Sequence, residues 1–243
     1  MFRHQGKNRT FKHNLRIATL LSFVAGIINV SGFLAIQHLT TNVTGHFALF
    51  INDFAHFKFW EGTVYLLYII SFLIGSFSSN FLIECFKEKT KFNVYTVPVS
   101  IEIFILIIVA FLYSNEIVTS TNFIACLLLF AMGLQNSYVT KISNAVVRTT
   151  HLTGLFTDLG IDLSQLLFPK RYTDRDKLMT NIKLRLFIIF GFFFGGLIGG
   201  FLFSEWKLKM DTLYIPALIL AISLIYAPLK FSFLTHKRIK KPL

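Results

Sequence analysis

Asp158 and Asp162 stand four residues apart in the segment LTGLFTDLGID, with Arg148 and His151 just ahead of them. In a helix both carboxylates share one face. An arginine nearby can hold an anionic group, or neutralise one acid while the other takes up a proton. Asp53 occupies a similar place in the earlier segment VTGHFALFIND. Glu84 and Glu102 lie at the end of one long apolar run and inside the next. A charged side chain at bilayer depth costs at least ~2.5–3.5 kcal/mol on insertion scales, so each of these groups needs a reason to be there. Proton coupling through Asp53, Asp158 and Asp162 is one reason. Ion pairs that only fix the fold are the other, and the residue types alone leave both open. Glu102 follows Pro98 by four residues; carrying a proton, bonding a neighbouring hydroxyl and lying in a water-filled vestibule are all open to it.

Neutral polar groups form a second set. Asn29, Gln135 and Asn136 fall inside apolar runs, where amides serve both helix–helix hydrogen bonds and substrate contacts. Thr44-Gly45 and Thr153-Gly154 each open a short apolar segment. Threonine can cap a helix N-terminus and glycine lets backbone N–H groups approach a ligand, so both pairs are candidate sites for an anion or polar group.

Catalytic and cofactor chemistry finds less support. The seven histidines, at positions 4, 13, 38, 46, 56, 151 and 236, show neither HExxH nor a Cys/His zinc spacing, so no metal is expected. No GxSxG elbow, phosphate loop or dinucleotide fingerprint is present, and no cofactor is expected. Ser143 and His151 are eight residues apart with nothing to orient them, so an enzyme is not expected. Cys85 and Cys126 read as packing thiols.

The elements that must position these residues are set by composition. With 54% hydrophobic residues, 15% charged residues and a mean hydropathy of +0.62, the chain falls among polytopic membrane proteins. Six apolar stretches, at about 15–36, 62–84, 94–113, 118–139, 185–204 and 212–230, approach or exceed the ~20 residues that cross a ~30 Å hydrocarbon core. The net charge of +12 then describes topology rather than a nucleic-acid surface. With the N-terminus inside, only Lys58, Lys207 and Lys209 of the 24 lysines and arginines fall outside, and the positive-inside rule gives six spans with both termini cytoplasmic. No cleaved signal peptide is expected, because the first apolar run has the length of a span and no small-residue cleavage pattern.

The two candidate regions are versions of one another. Gly26 and Asn29 align with Gly133 and Asn136 at an offset of 107 residues; Thr44, Gly45, Phe47 and Asp53 align with Thr153, Gly154, Phe156 and Asp162 at an offset of 109. FLIGSFSSNFL at 72–82 matches FFFGGLIGGFL at 192–202. Three spans per half is an odd number, so the second half runs through the membrane upside down, an architecture recurrent in secondary transporters. The expected fold is therefore all-α, with six transmembrane helices arranged as two inverted three-helix repeats. Residues 1–14 form a basic tail, 15–113 the first repeat, 114–230 the second with a cytoplasmic insertion at 169–183, and 231–243 a second basic tail. The stretches 44–57 and 143–168 are too short to span. Re-entrant half-helices and interfacial helices both fit them. Gly75-xxx-Ser79 and Gly195-xxx-Gly199 read as close-packing pairs, and a homo-oligomer through such helices is open.

FVAGIINVSGFLA followed by NVTGH, together with AMGLQN, VRTTHLTG and TDLG in that order, resembles the paired signatures of the YoaK-type bacterial inner-membrane proteins across nearly the whole chain. The resemblance implies a six-helix protein that moves a small molecule of unassigned identity across the inner membrane. It points to Gly133, Gln135, Asn136, Arg148, Thr149, Thr150, Thr153, Gly154, Asp158 and Gly160. It also implies an acid where this chain has Asn29, and Asn where it has His46, which leaves Asp158 and Asp162 as the better titrating groups. The expectation is a secondary transporter of a small polar molecule, with Asn29, Thr44, Gly45, Gln135, Asn136, Arg148, Thr153 and Gly154 contacting the substrate. The competing expectation is a non-transporting scaffold, or a subunit that binds a partner through its basic loop.

Overall fold

The computed structural model describes residues 10–87, 93–143, 145, 147–169, 171 and 174–225. Among the described residues every element is helical: α1 (Phe11–Ile36), α2 (Val43–Ala55), α3 (Phe59–Phe86), α4 (Thr96–Ser114), α5 (Thr121–Ser143), α6 (Leu152–Leu166) and α7 (Arg175–Ser204). A single 3-10 turn at Lys209–Leu213 then leads into a helix over 214–225, here α8. Five of these helices, α1, α3, α4, α5 and α7, are long and apolar enough to cross a membrane. The expected sixth span begins with α8, and its remaining residues, 226–230, lie outside the described residues, as do 88–92 and most of both basic tails.

Helices α1 and α5 form the centre. Each buries about half its residues, including Ile17, Leu21 and Ile28 on α1 and Leu128, Met132 and Tyr138 on α5. Helix α7 packs along α1, and α3 along α5. Glycine makes both approaches possible. A Cβ on Gly26 would meet the Phe192 carbonyl and one on Gly195 the Phe23 carbonyl; likewise Gly133 lies against the Phe72 carbonyl and Gly75 against that of Phe130. Backbone contact of this kind is how helices associate where lipid supplies no hydrophobic drive. Helix α4 closes on α5, and the turn at Lys209–Leu213 closes on α1 and α4. The outward faces of α3, α4 and α7 carry Phe77, Phe81, Phe104, Phe111, Phe193 and Phe201, all exposed, as befits a surface whose solvent is acyl chain.

Helices α2 and α6 do not span. With 13 and 15 residues they reach only about 20 Å at ~1.5 Å per residue. Helix α2 lies on α3, and α6 on α7. Helix α1 stops at Gln37, whose left-handed backbone (φ 58°) releases the chain into the polar segment before α2.

Two local expectations are corrected. The helices open at Asn42 and His151, not at Thr44 and Thr153. Asn42 performs the capping, because its side chain reaches the free N–H of Gly45 at 2.9 Å while Thr44 is exposed one position inside the helix. The hydrophilic insertion 169–183 is not all loop, since α7 starts at Arg175. Asp174 caps it by accepting the Lys177 N–H at 3.0 Å, and that cap lets the helix run about three turns ahead of its apolar part.

Candidate functional site

The amides of α1 and α5 anchor the turns that follow those helices. Thr41 donates its hydroxyl to Asn29 Oδ1 at 2.8 Å, and Thr150 donates to Asn136 Oδ1 at 2.9 Å. Gln135, fully buried, donates Nε2–H to the Leu21 carbonyl at 2.9 Å and to Thr149 Oγ1 at 3.2 Å. Thr40 donates to the Ile28 carbonyl at 3.4 Å. Each short helix is thus tied to its preceding long helix by threonine hydroxyls at fixed depth. Asn136 also lines a cavity of about 620 Å³ with Ser76, Asn80, Ser137, Thr140 and Lys141.

The charged residues gather at the N-terminus of α6, around a cavity of about 440 Å³ between α6 and α7. Arg148 and His151 come to it from the turn before α6, Gly154, Leu155 and Asp158 from α6, and Asn181, Leu184 and Arg185 from α7. Helix α6 presents Asp158 and Asp162 on one face, as their spacing requires, and that face meets Arg185 of α7. Arg185 pairs with the buried Asp162 and, at 3.4 Å, with the more exposed Asp158. Arg148 is exposed and makes no ion pair among the described residues. Asp162 faces a second cavity, of about 330 Å³, beside Arg171 and Lys177. Thr153 is exposed on α6 and does not line the 440 Å³ cavity.

Sequence reasoning missed Arg185 and Asn181. Arg185 immediately precedes the apolar run LFIIFGFFFGGLIGGFLF, where a cation reads as a marker of topology, and the acids it meets belong to another helix.

The region around α2 is built differently. Asp53 is half-buried and accepts a bond from Asn52 Nδ2 at 3.1 Å, with no cation paired to it among the described residues. Gly45 sits against the Asn42 cap. In place of an arginine there is an aromatic cluster. His46, buried, lies 5.0 Å from the Tyr68 ring and 6.0 Å from that of Tyr65, and His38 lies 5.3 Å from Tyr68. His46 donates from Nε2 to the Leu39 carbonyl at 2.7 Å, while its Nδ1 is buried without a partner. Burial pushes the His46 imidazole below its ordinary range, opposed by the Leu39 bond and reinforced by His38.

Glu102 is fully buried and accepts the Tyr138 hydroxyl at 2.7 Å, the hydroxyl-bonded alternative for that residue. Glu84 pairs with Lys141 at 2.9 Å and Lys87 at 3.1 Å on an exposed surface. Ser143 accepts the Val147 N–H at 3.0 Å, which holds it in the turn after α5. No group of three potential metal ligands occurs among the described residues.

The family described as "Protein of unknown function (DUF1275)" matches residues 17–226. UPF0700 transmembrane protein YoaK of Bacillus subtilis (strain 168) is 27% identical over 179 residues, which cover 71% of this chain and 79% of that protein. No solved structure matches the chain at a significant level. With apolar helices of spanning length and a family match across most of its residues, the chain belongs to the YoaK-type DUF1275 family of membrane proteins.

Proposed function

We propose that the protein is a secondary transporter of a small polar molecule across the bacterial inner membrane. It has six spans, both termini in the cytoplasm, and two inverted repeats, α1–α4 and α5–α8. The solute enters the cavity at the N-terminus of α6, and the two halves exchange access to it. No catalytic step and no cofactor are part of this reading.

The observation that carries it is the reciprocity of the helix contacts. Gly26 meets Phe192 and Gly133 meets Phe72; Gly195 meets Phe23 and Gly75 meets Phe130. Each contact is reproduced by its counterpart when α1 is exchanged for α5 at the offset of 107 and α3 for α7 at an offset of 120. The Asn29–Thr41 bond is likewise repeated by Asn136–Thr150. Repeats that interlock through two matched interfaces can rock against each other, and transporters of this architecture place the solute site at the repeat interface beside interrupted helices. The polar 440 Å³ cavity lies beside one of the two short helices, α6, within the second repeat.

Cysteine accessibility tests the proposal. Single cysteines at His151 and Asn181, both in the cavity lining, in an otherwise cysteine-free protein, should react with a membrane-impermeant thiol reagent from the cytoplasmic face of oriented vesicles. A fraction should also react from the opposite face, as alternating access requires. Reaction from one face only, unchanged across every solute tried, would contradict the exchange.

A further inference from the structure

The charges around the α6 cavity specify a ligand more narrowly than "polar". Of its two arginines, Arg185 already pairs with carboxylates, Asp162 in a buried position and Asp158 nearer the surface. Asp158, at 3.4 Å and more exposed, shares that cation with Asp162. Arg148 lines the same space with no carboxylate paired to it among the described residues. Among the described residues the cavity therefore offers one unpaired cation, from the turn before α6, and one incompletely paired carboxylate, from α6 itself, with Asn181 and His151 also in its lining. Its volume of about 440 Å³ falls within the usual range of small-ligand sites, roughly 300–1,000 Å³.

A monoanion would satisfy Arg148 and face a like charge at Asp158. A monocation would satisfy Asp158 and face Arg148. Either costs desolvation of a group it leaves unpaired. We propose that this cavity binds a small zwitterion, an amino-acid-like molecule whose carboxylate sits on Arg148 at the α6 N-terminus and whose ammonium group sits on Asp158. Asn181 and His151 supply hydrogen bonds to the rest of the molecule, and Leu155 and Leu184 give a small apolar surface for its carbon skeleton. Arg185 and Asp162 act as positioning residues, since their pair fixes the α6 face that carries Asp158. The inference rests on the transport reading of the same cavity but concerns the class of ligand alone.

Thermal unfolding of the purified full-length protein in detergent tests it, with glycine, L-serine and L-glutamine as zwitterions and acetate and methylammonium as their separated halves. At least one amino acid should raise Tm, and neither acetate, methylammonium nor their mixture should match it at equal concentration. Asp158→Asn should weaken amino-acid binding about tenfold or more while allowing acetate to bind, because the like charge is gone. Arg148→Lys keeps the charge and loses the planar fork, so it should weaken amino-acid binding without opening the site to acetate. That exposed position supplies the comparison if Asp158→Asn melts early by itself. Stabilisation of the wild type by acetate or methylammonium alone, equal to that by any amino acid, would overturn the proposal, as would no response to any of the three amino acids. A stabilising amino acid that proteoliposomes fail to take up would instead count against transport and leave the ligand class standing.

Discussion

Among single residues, the Arg185–Asp162 pair is the contact whose loss should be felt most. Asp162 is only 7% exposed, so Arg185→Ala would leave a buried carboxylate without its partner. Breaking a buried pair from one side costs about 3 kcal/mol or more. Thermal melts should show a large loss for Arg185→Ala and a smaller one for Arg185→Ala with Asp162→Asn, because the second change removes the stranded charge. Equal losses would mean the pair contributes little. His46 makes a pH prediction of opposite kind. Burial lowers its folded pKa below the unfolded value, so folding disfavours the proton. The associated stability is complete above the ordinary histidine pKa, about 6.5, and is lost as pH falls through the lowered folded value. Tm should drop on acidification from about pH 7 to about pH 5, and His46→Gln should flatten that slope. An unchanged slope in the variant would place the effect elsewhere. The carboxylates at 158 and 162 were legible because their spacing of four fixes a shared face. Arg185 and the His46–Tyr65–Tyr68 cluster were not, because each depends on which helix lies alongside, and neither charge nor ring type announces its partner in the chain.

For the helices, the prediction concerns close approach. Gly26→Ala and Gly133→Ala each press a methyl group on a facing carbonyl, at Phe192 and Phe72. Overpacking of this kind costs about 1–3 kcal/mol, and both variants should melt early by similar amounts. Gly160→Ala is the internal control, with open space around the added methyl, and should be close to neutral or slightly stabilising. The long helices were readable from apolar length, and the short ones from their polar borders. Their caps and the start of α7 were harder. Capping is decided by which side chain reaches a free N–H, and Asn42 and Asp174 won that competition over Thr44 and over the apolar boundary at Arg185. Whether α2 and α6 span was decided by length alone, and their orientation against α3 and α7 was set by packing that no local pattern encodes.

Across the whole molecule, the two interlocked halves carry the functional proposal. Each half donates its first helix to the other's third, α1 to α7 and α5 to α3, so neither half can be withdrawn intact. Separate expression of residues 1–114 and 115–243 should therefore yield functional protein only when both pieces are made together, and size-exclusion chromatography of the co-expressed pieces checks this. A first half that is stable and monodisperse alone would argue against interlocking. The most direct test of transport itself is uptake of the radiolabelled amino acids glycine, L-serine and L-glutamine into proteoliposomes, beside Asp158→Asn and protein-free vesicles. The account predicts saturable accumulation of at least one of them that excess unlabelled solute inhibits and that Asp158→Asn reduces. Uptake no greater than in protein-free vesicles, from a preparation that the same solute stabilises against heat, would contradict transport and leave a membrane protein that binds the solute without moving it.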